Sequence, residues 1–330
     1  MRTSSVATRR LALAGLAALV VAAPAAAQRS FTSLTMFGDS FSDVGNLQQL
    51  LPGFGIPARF SNGPVWSDRL ATAIGRPGDA TPSFALARPT GVYAIGGATT
   101  ENGGFGTGAQ VGRWCGFTNG ACTRTADASG LYVLFAGGND VRSAATLGTD
   151  AARRAATVTA AQNLLGQAQL LTTTGVRSLL FSYLPDLGRT PDRIGTPASQ
   201  TLTELTGLFN STLATGIAQL RIGAPAATFW DLRLDNLFFN VLAQPDRFGF
   251  TNTTGNCVAD LQLPACTGYV FFDGLHPSAA AHALVGQAAY NLVAFDVNVQ
   301  AVPEPASLAL VAAGLGVLGG VAARRRRAMR

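Results

Sequence analysis

At 330 residues and 34.0 kDa, with 48% hydrophobic and only 13% charged residues, the chain can build one large core and is far too apolar to be disordered. Its formal charge of +6 does not mark a nucleic-acid binder, because all 24 basic residues are arginines and eight of them sit at the two ends. Residues 28–323 hold sixteen arginines against eighteen acidic residues, a net charge of −2 that fits no polyphosphate-tracking surface.

From the amino end, residues 1–27 carry Arg2, Arg9 and Arg10, then an apolar run over 11–23, then Ala25-Ala26-Ala27. A positive start, an apolar middle and a small-residue end in that order predict a secretory signal peptide cleaved after Ala27. The body, 28–300, then alternates strand-like and helix-like segments. Residues 33–37 form a short β-prone run that ends at Gly38-Asp39-Ser40, and 131–135 form a second apolar run stopped by Ala136-Gly137-Gly138-Asn139-Asp140. Apolar residues at helical spacing predict a helix over 151–173, with Gly175 as its stop. A strand is expected over 178–184, broken by Pro185, then a helix over 199–220 and a strand over 227–232. A last Ala-rich helix over 278–292 starts after His276-Pro277. Strands separated by helices of this length predict a single α/β domain, a three-layer α/β/α sandwich with a mostly parallel central sheet. In such sheets the ligand site lies outside the carboxyl ends of the strands.

Residues 301–330 read differently. They hold Val302-Pro303-Glu304-Pro305, eighteen uncharged residues over 306–323, and Arg324-Arg325-Arg326-Arg327. Eighteen helical residues at ~1.5 Å each span about 27 Å, close to the hydrocarbon thickness of a bilayer, so 306–323 is expected to be an apolar transmembrane helix with the arginines on the cytoplasmic side. Pro-Glu-Pro, one apolar helix and a terminal basic cluster resemble the PEP-CTERM sorting signal of Gram-negative bacteria. That resemblance implies an exosortase-like sorting peptidase as partner and a mature protein released or attached outside the inner membrane. A permanent single-span anchor is the alternative.

Cys115, Cys122, Cys257 and Cys266 allow three connectivities. Close pairing in sequence favours Cys115–Cys122 and Cys257–Cys266 in an oxidising compartment, and the spacings are not those of a zinc knuckle.

Polar residues of catalytic type fall at the expected strand ends. Ser40 directly follows the first strand, where helix-start N–H groups could stabilise an oxyanion, although a lone Ser there also reads as a helix cap. Gly96 and Gly97 can bring a backbone N–H to a ligand, or simply make a turn. Asn139 can donate its amide to a developing negative charge, or serve turn chemistry. Asp273 stands three residues before His276, one of only two histidines, and could orient its imidazole. His282 lacks such a partner and reads as structural.

In the order Ser40, the Gly96-Gly97 pair, Asn139 and Asp273-x-x-His276, these residues resemble the SGNH hydrolases, also called the GDSL lipase and esterase family. The first block is Phe37-Gly38-Asp39-Ser40-Phe41-Ser42-Asp43-Val44-Gly45-Asn46, with Phe41 where the family name has Leu. The resemblance extends to 183–191 and 248–252, and is greatest to the phospholipase, lecithinase and hemolysin branch. Val92 departs from that branch, which often has Asn before the Gly block. The resemblance implies an SGNH or flavodoxin-like fold and acyl transfer by Ser40, with His276 as base and Asp273 as its orienting carboxylate. Ser40 N–H, the N–H of Gly97 or Gly96, and the Asn139 amide would form the oxyanion hole. No metal or organic cofactor is implied. The Gly-x-Ser-x-Gly elbow of α/β-hydrolases is absent around Ser40. The expected activity is a secreted esterase or lipase acting on small-molecule or lipid esters. The alternatives are a carbohydrate O-acetyl esterase on exported polysaccharide and a non-catalytic surface protein.

Overall fold

In the computed structural model, which describes residues 28–297, the chain runs through five strands and eight α-helices. In order these are β1 (Leu34–Gly38), α1 (Asn46–Leu50), α2 (Trp66–Ala73), β2 (Gly91–Val92), α3 (Thr107–Cys115), β3 (Leu131–Phe135) and α4 (Gly138–Ala144). Then follow α5 (Asp150–Thr173), β4 (Ser178–Ser182), α6 (Ala198–Gly223), β5 (Thr228–Leu232), α7 (Leu234–Ala243) and α8 (Ala279–Phe295). The expected signal peptide and the apolar segment 306–323 lie outside the described residues. Among the described residues no helix is long and apolar enough to cross a membrane.

The strands form one sheet in the order β2-β1-β3-β4-β5, and every pairing is parallel. All five residues of β1 and of β3 are buried. Successive strand side chains point to opposite faces, so burial of every residue means that both faces are covered. The helices supply that cover in two packed groups, α2 with α8, and α3, α4 and α6 around α5. The result is the expected three-layer α/β/α sandwich.

The long helices keep close to their sequence signals. Thr149 accepts a hydrogen bond from the Ala152 N–H and starts α5, and Ser278 does the same for the Ala281 N–H at the start of α8. Strand β4 stops two residues before the expected 184 because Leu184 leaves the ladder. Its N–H and C=O pair instead with the Asn210 amide on α6, at 2.9 and 2.8 Å. Strand β2 has two residues and no pattern of its own. It exists because β1 pairs Thr35 with Gly91 and Met36 with Val92.

The four cysteines form the expected bridges, Cys115–Cys122 and Cys257–Cys266, with Cα separations of 5.1 and 5.5 Å and no free thiol. Each closes a small loop, a constraint that contributes roughly 2–3 kcal/mol in the loop-entropy picture.

Asn46, at the first position of α1, holds the short β2 segment to the Ser40 loop. Its Nδ2 donates to Val92 O (2.7 Å) and Ala94 O (3.0 Å), while its Oδ1 accepts from Phe84 N–H at 3.0 Å. The residue is buried, so no water can replace these bonds. Asn46→Ala should therefore lower the unfolding free energy by about 2–4 kcal/mol in urea titration, from partners left unsatisfied. A loss below about 1 kcal/mol would show that the β2 segment is held by its other contacts.

Candidate active site

Strand β1 ends at Gly38, and the next four residues turn sharply. Asp39 makes the turn: its Oδ1 accepts from Phe41 N–H at 3.0 Å and its carbonyl accepts from Ser42 N–H at 3.1 Å. Asp43 then gathers four backbone N–H groups. Its Oδ1 accepts from Gly45 (2.8 Å) and Asn46 (2.7 Å), and its Oδ2 from Leu47 (3.2 Å) and Gly96 (2.8 Å). One carboxylate thus ties the loop after β1 to the loop after β2. Burial pushes its pKa up, and the N–H groups of Gly96, Gly45, Asn46 and Leu47 pull it back.

The Asp273–His276 turn belongs to no strand or helix, and its own side chains shape it. Asp273 Oδ1 accepts from the backbone N–H groups of Leu275 (2.8 Å) and His276 (2.6 Å), while Oδ2 lies 2.7 Å from His276 Nδ1. A spacing of three residues lets one oxygen cap the turn and the other meet the ring. On the opposite side of the imidazole, Nε2 lies 2.8 Å from Ser40 Oγ, across 236 residues of sequence. Burial alone would raise the Asp273 carboxyl, but its bonds to the His276 ring and to the turn's N–H groups outweigh that and hold it below the ordinary value. The ring of Phe60 lies against the imidazole, with centroids 5.1 Å apart.

The two glycines left open in the sequence have different fates. Gly96 N–H is spent on Asp43. Gly97 is exposed, has φ +79, and its N–H has no hydrogen-bond partner among the described residues. Asn139 stands in the first turn of α4, where Gly137 at φ +115 makes the cap, and a Cβ at Gly137 would collide with the Phe209 ring. The Asn139 Nδ2 donates one proton to Ala98 O at 2.9 Å, leaving the other. Asp140 accepts from Thr100 N–H and Oγ1, so α4 holds the segment just after Gly97 at two points, Ala98 and Thr100. His282 is buried, its Nδ1 accepts from Trp66 N–H at 3.2 Å, and burial drives its pKa down to about 3. That is the structural histidine the sequence reading expects.

Beside Ser40 a cavity of about 520 Å³ opens, within the usual range for small-molecule sites. Phe41, Phe135, Tyr183, Leu184, Phe238 and Leu242 make its apolar wall. Asp39, Ser40, Asn139 and His276 also line the cavity. Burial raises the Asp39 carboxyl to about 7, with nearby Asp140 adding to the rise and Phe41 N–H and His276 opposing it. Sequence reasoning assigned no role to Asp43 or Asn46, although a Ser-Asp-x-Gly-Asn run is a recognisable Asx-turn signal ahead of a helix. Phe60 and the cavity left no sequence signal, because their neighbours come from distant segments.

A GDSL-like lipase/acylhydrolase family profile matches residues 34–289, and a PEP-CTERM protein-sorting motif, which marks chains for export and surface sorting, matches 301–327. An uncharacterized protein in the trpE-trpG intergenic region of Pseudomonas putida is 30% identical over 91% of this chain and 55% of its own length. Esterase EstA of Pseudomonas aeruginosa is 25% identical over 91% and 52%. The chain thus spans about half the length of these two relatives. The phosphatidylcholine-sterol acyltransferase of Aeromonas hydrophila is 25% identical over 85% of this chain and 95% of its own. Among solved structures, an acetylxylan esterase from Geobacillus stearothermophilus is 15% identical over 80% of this chain and 94% of its own, with a TM-score of 0.40. The profile match runs from the first strand into the last helix and takes in Ser40, Gly97, Asn139, Asp273 and His276, so this chain belongs to the GDSL-like lipase/acylhydrolase family.

Proposed function

We propose that this protein is an exported serine hydrolase of carboxylic esters. One observation carries the reading: the unbroken run of hydrogen-bond contacts from Ser40 Oγ through the His276 ring to Asp273. Ser40 Oγ attacks the ester carbonyl carbon as its proton passes to His276 Nε2. Asp273 keeps the Nδ1–H tautomer and stabilises the imidazolium. The carbonyl oxygen gains charge and is met by Ser40 N–H, Gly97 N–H and the free Asn139 N–H. His276 then protonates the departing alcohol, and water activated by the same imidazole releases the acid and restores Ser40. The unspent N–H of Gly97 favours it over Gly96 for the oxyanion hole.

The apolar wall beside Ser40 supports an acyl chain longer than acetyl. We place the working domain at 28–300, behind a signal peptide at 1–27, with the tail at 301–330 as the target of an exosortase-like peptidase. The site residues all lie between 40 and 276, so nothing in the chemistry requires the tail.

Purified Ser40→Ala and His276→Ala should stay folded and lose hydrolysis of p-nitrophenyl esters. A folded Ser40→Ala protein with wild-type turnover would sink the mechanism. A panel of p-nitrophenyl esters, phospholipids and acetylated sugars would separate this reading from an O-acetyl esterase, which would prefer the acetylated sugars.

Asn139→Ala should cost ~3 kcal/mol in the transition state, on the order of a hundredfold in kcat, with little change in KM. If only KM moves, Asn139 binds substrate or makes a turn and is no oxyanion donor.

Residues 28–300, sent to the periplasm on another signal, should be soluble and fully active. Insolubility or inactivity with both disulfides formed would make the tail part of the domain.

A further inference from the structure

The turn that carries Asp273 and His276 is irregular, so the sheet does not set its distance from the Asn139 helix. One ion pair spans that gap. Arg142 lies one turn beyond Asn139 on α4, and its guanidinium grips the Asp192 carboxylate, Nη2 to Oδ2 at 2.7 Å and Nη1 to Oδ1 at 3.4 Å. The backbone N–H of Asp192 donates to Gly274 O at 3.0 Å, inside the Asp273–His276 turn. A Cβ at Gly274 would stand 3.1 Å from Asp192 Cβ, so the turn rests directly against Asp192.

Neighbouring groups keep the Asp192 carboxylate in place. Thr190 Oγ1 lies 2.8 Å from its Oδ1, and Arg193 Nε 3.4 Å from its Oδ2. The side chains of Arg142 and Asp192 are only 21% and 31% exposed, so water screens this pair less than a fully exposed one. Burial alone would raise the Asp192 pKa, but its bonds to Arg142 and Thr190 and the charges of Arg142 and Arg193 hold it below the ordinary value.

We propose that the Arg142–Asp192 pair is a strap that fixes the spacing between the His276 turn and the Asn139 amide. Asp192 is then a positioning residue, acting on the base and the oxyanion donor together and touching no reacting atom. This rests on the serine mechanism proposed above. The physical argument is that base and oxyanion donor must meet one transition state from two separate loops, and a displacement near 1 Å at such a site can cost up to about a hundredfold in rate.

The test counts active sites by fluorophosphonate labelling, then measures kcat per labelled site and KM on p-nitrophenyl butyrate. Asp192→Asn should lower kcat about tenfold with KM within about twofold, and Asp192→Glu should recover most of the loss. Arg142→Gln should fall similarly in kcat, and the double variant should be no worse than either single one, because the two act through one contact. A kcat within about twofold of wild type, a change confined to KM, or losses that multiply in the double variant would overturn the strap. Should Asp192→Asn fail to fold, Arg142→Gln alone decides, and an unchanged kcat there also overturns it. Wild-type protein that hydrolyses esters yet takes up no label would instead sink the serine mechanism itself.

Discussion

The parallel pairing of β1 with β3 is the constraint on which the site depends. Its register runs from Leu34 opposite Leu131 to Gly38 opposite Phe135, so both strands leave the sheet at the same level. Ser40 follows one end and the Asn139 helix the other. The chain goes from β1 outward to β2 on one side, while β3 opens the other half of the sheet. That reversal leaves a crevice at the strand ends, where doubly wound sheets bind their ligands. Gln110 reinforces the end of β1, with its amide accepting from Gly38 N–H and donating to Gly38 O, both at 2.8 Å.

Above the sheet, carboxylates do the work that strand ladders do below. Asp43 collects four N–H groups, Asp273 two N–H groups and a ring nitrogen, and Asp140 the N–H and hydroxyl of Thr100. A loop has few backbone bonds of its own, and a charged acceptor binds N–H donors more strongly than a neutral one. Burial opposes the charge and the N–H groups support it. For Asp43 and Asp140 burial prevails and the pKa is raised, whereas for Asp273 the His276 ring tips the balance the other way. Of these three carboxylates, the one facing His276 is the one whose pKa is lowered, which favours its charged form.

Part of this was legible in the sequence, and the reason is local. The helices over 151–173, 199–220 and 278–292 announce themselves by apolar spacing. The strands over 33–37, 131–135 and 178–184 do so as apolar runs cut off by Gly or Pro, and 227–232 as a β-prone run. Asp273-x-x-His276 is legible because a three-residue step brings a carboxylate to its own turn and ring. The disulfide pairs are legible because their loops are short.

Read along the chain, the residues mark an α/β fold, Ser40, Asn139, Asp273 and His276 as candidate site residues, and a family resemblance that the profile match bears out. It takes the packed fold to bring Ser40 Oγ to His276 Nε2, to spend the Gly96 N–H on Asp43 while Gly97 keeps its own, and to make an edge strand of two residues at 91 and 92. The fold alone brought Phe60 to the imidazole, Arg142 to Asp192, and aromatic residues from distant segments around one cavity. Periodicity and capping act over a few residues and can be read along the chain. The residue pairs named here are 50 to 236 positions apart, and their partners are chosen by sheet register and helix packing, which no local pattern encodes.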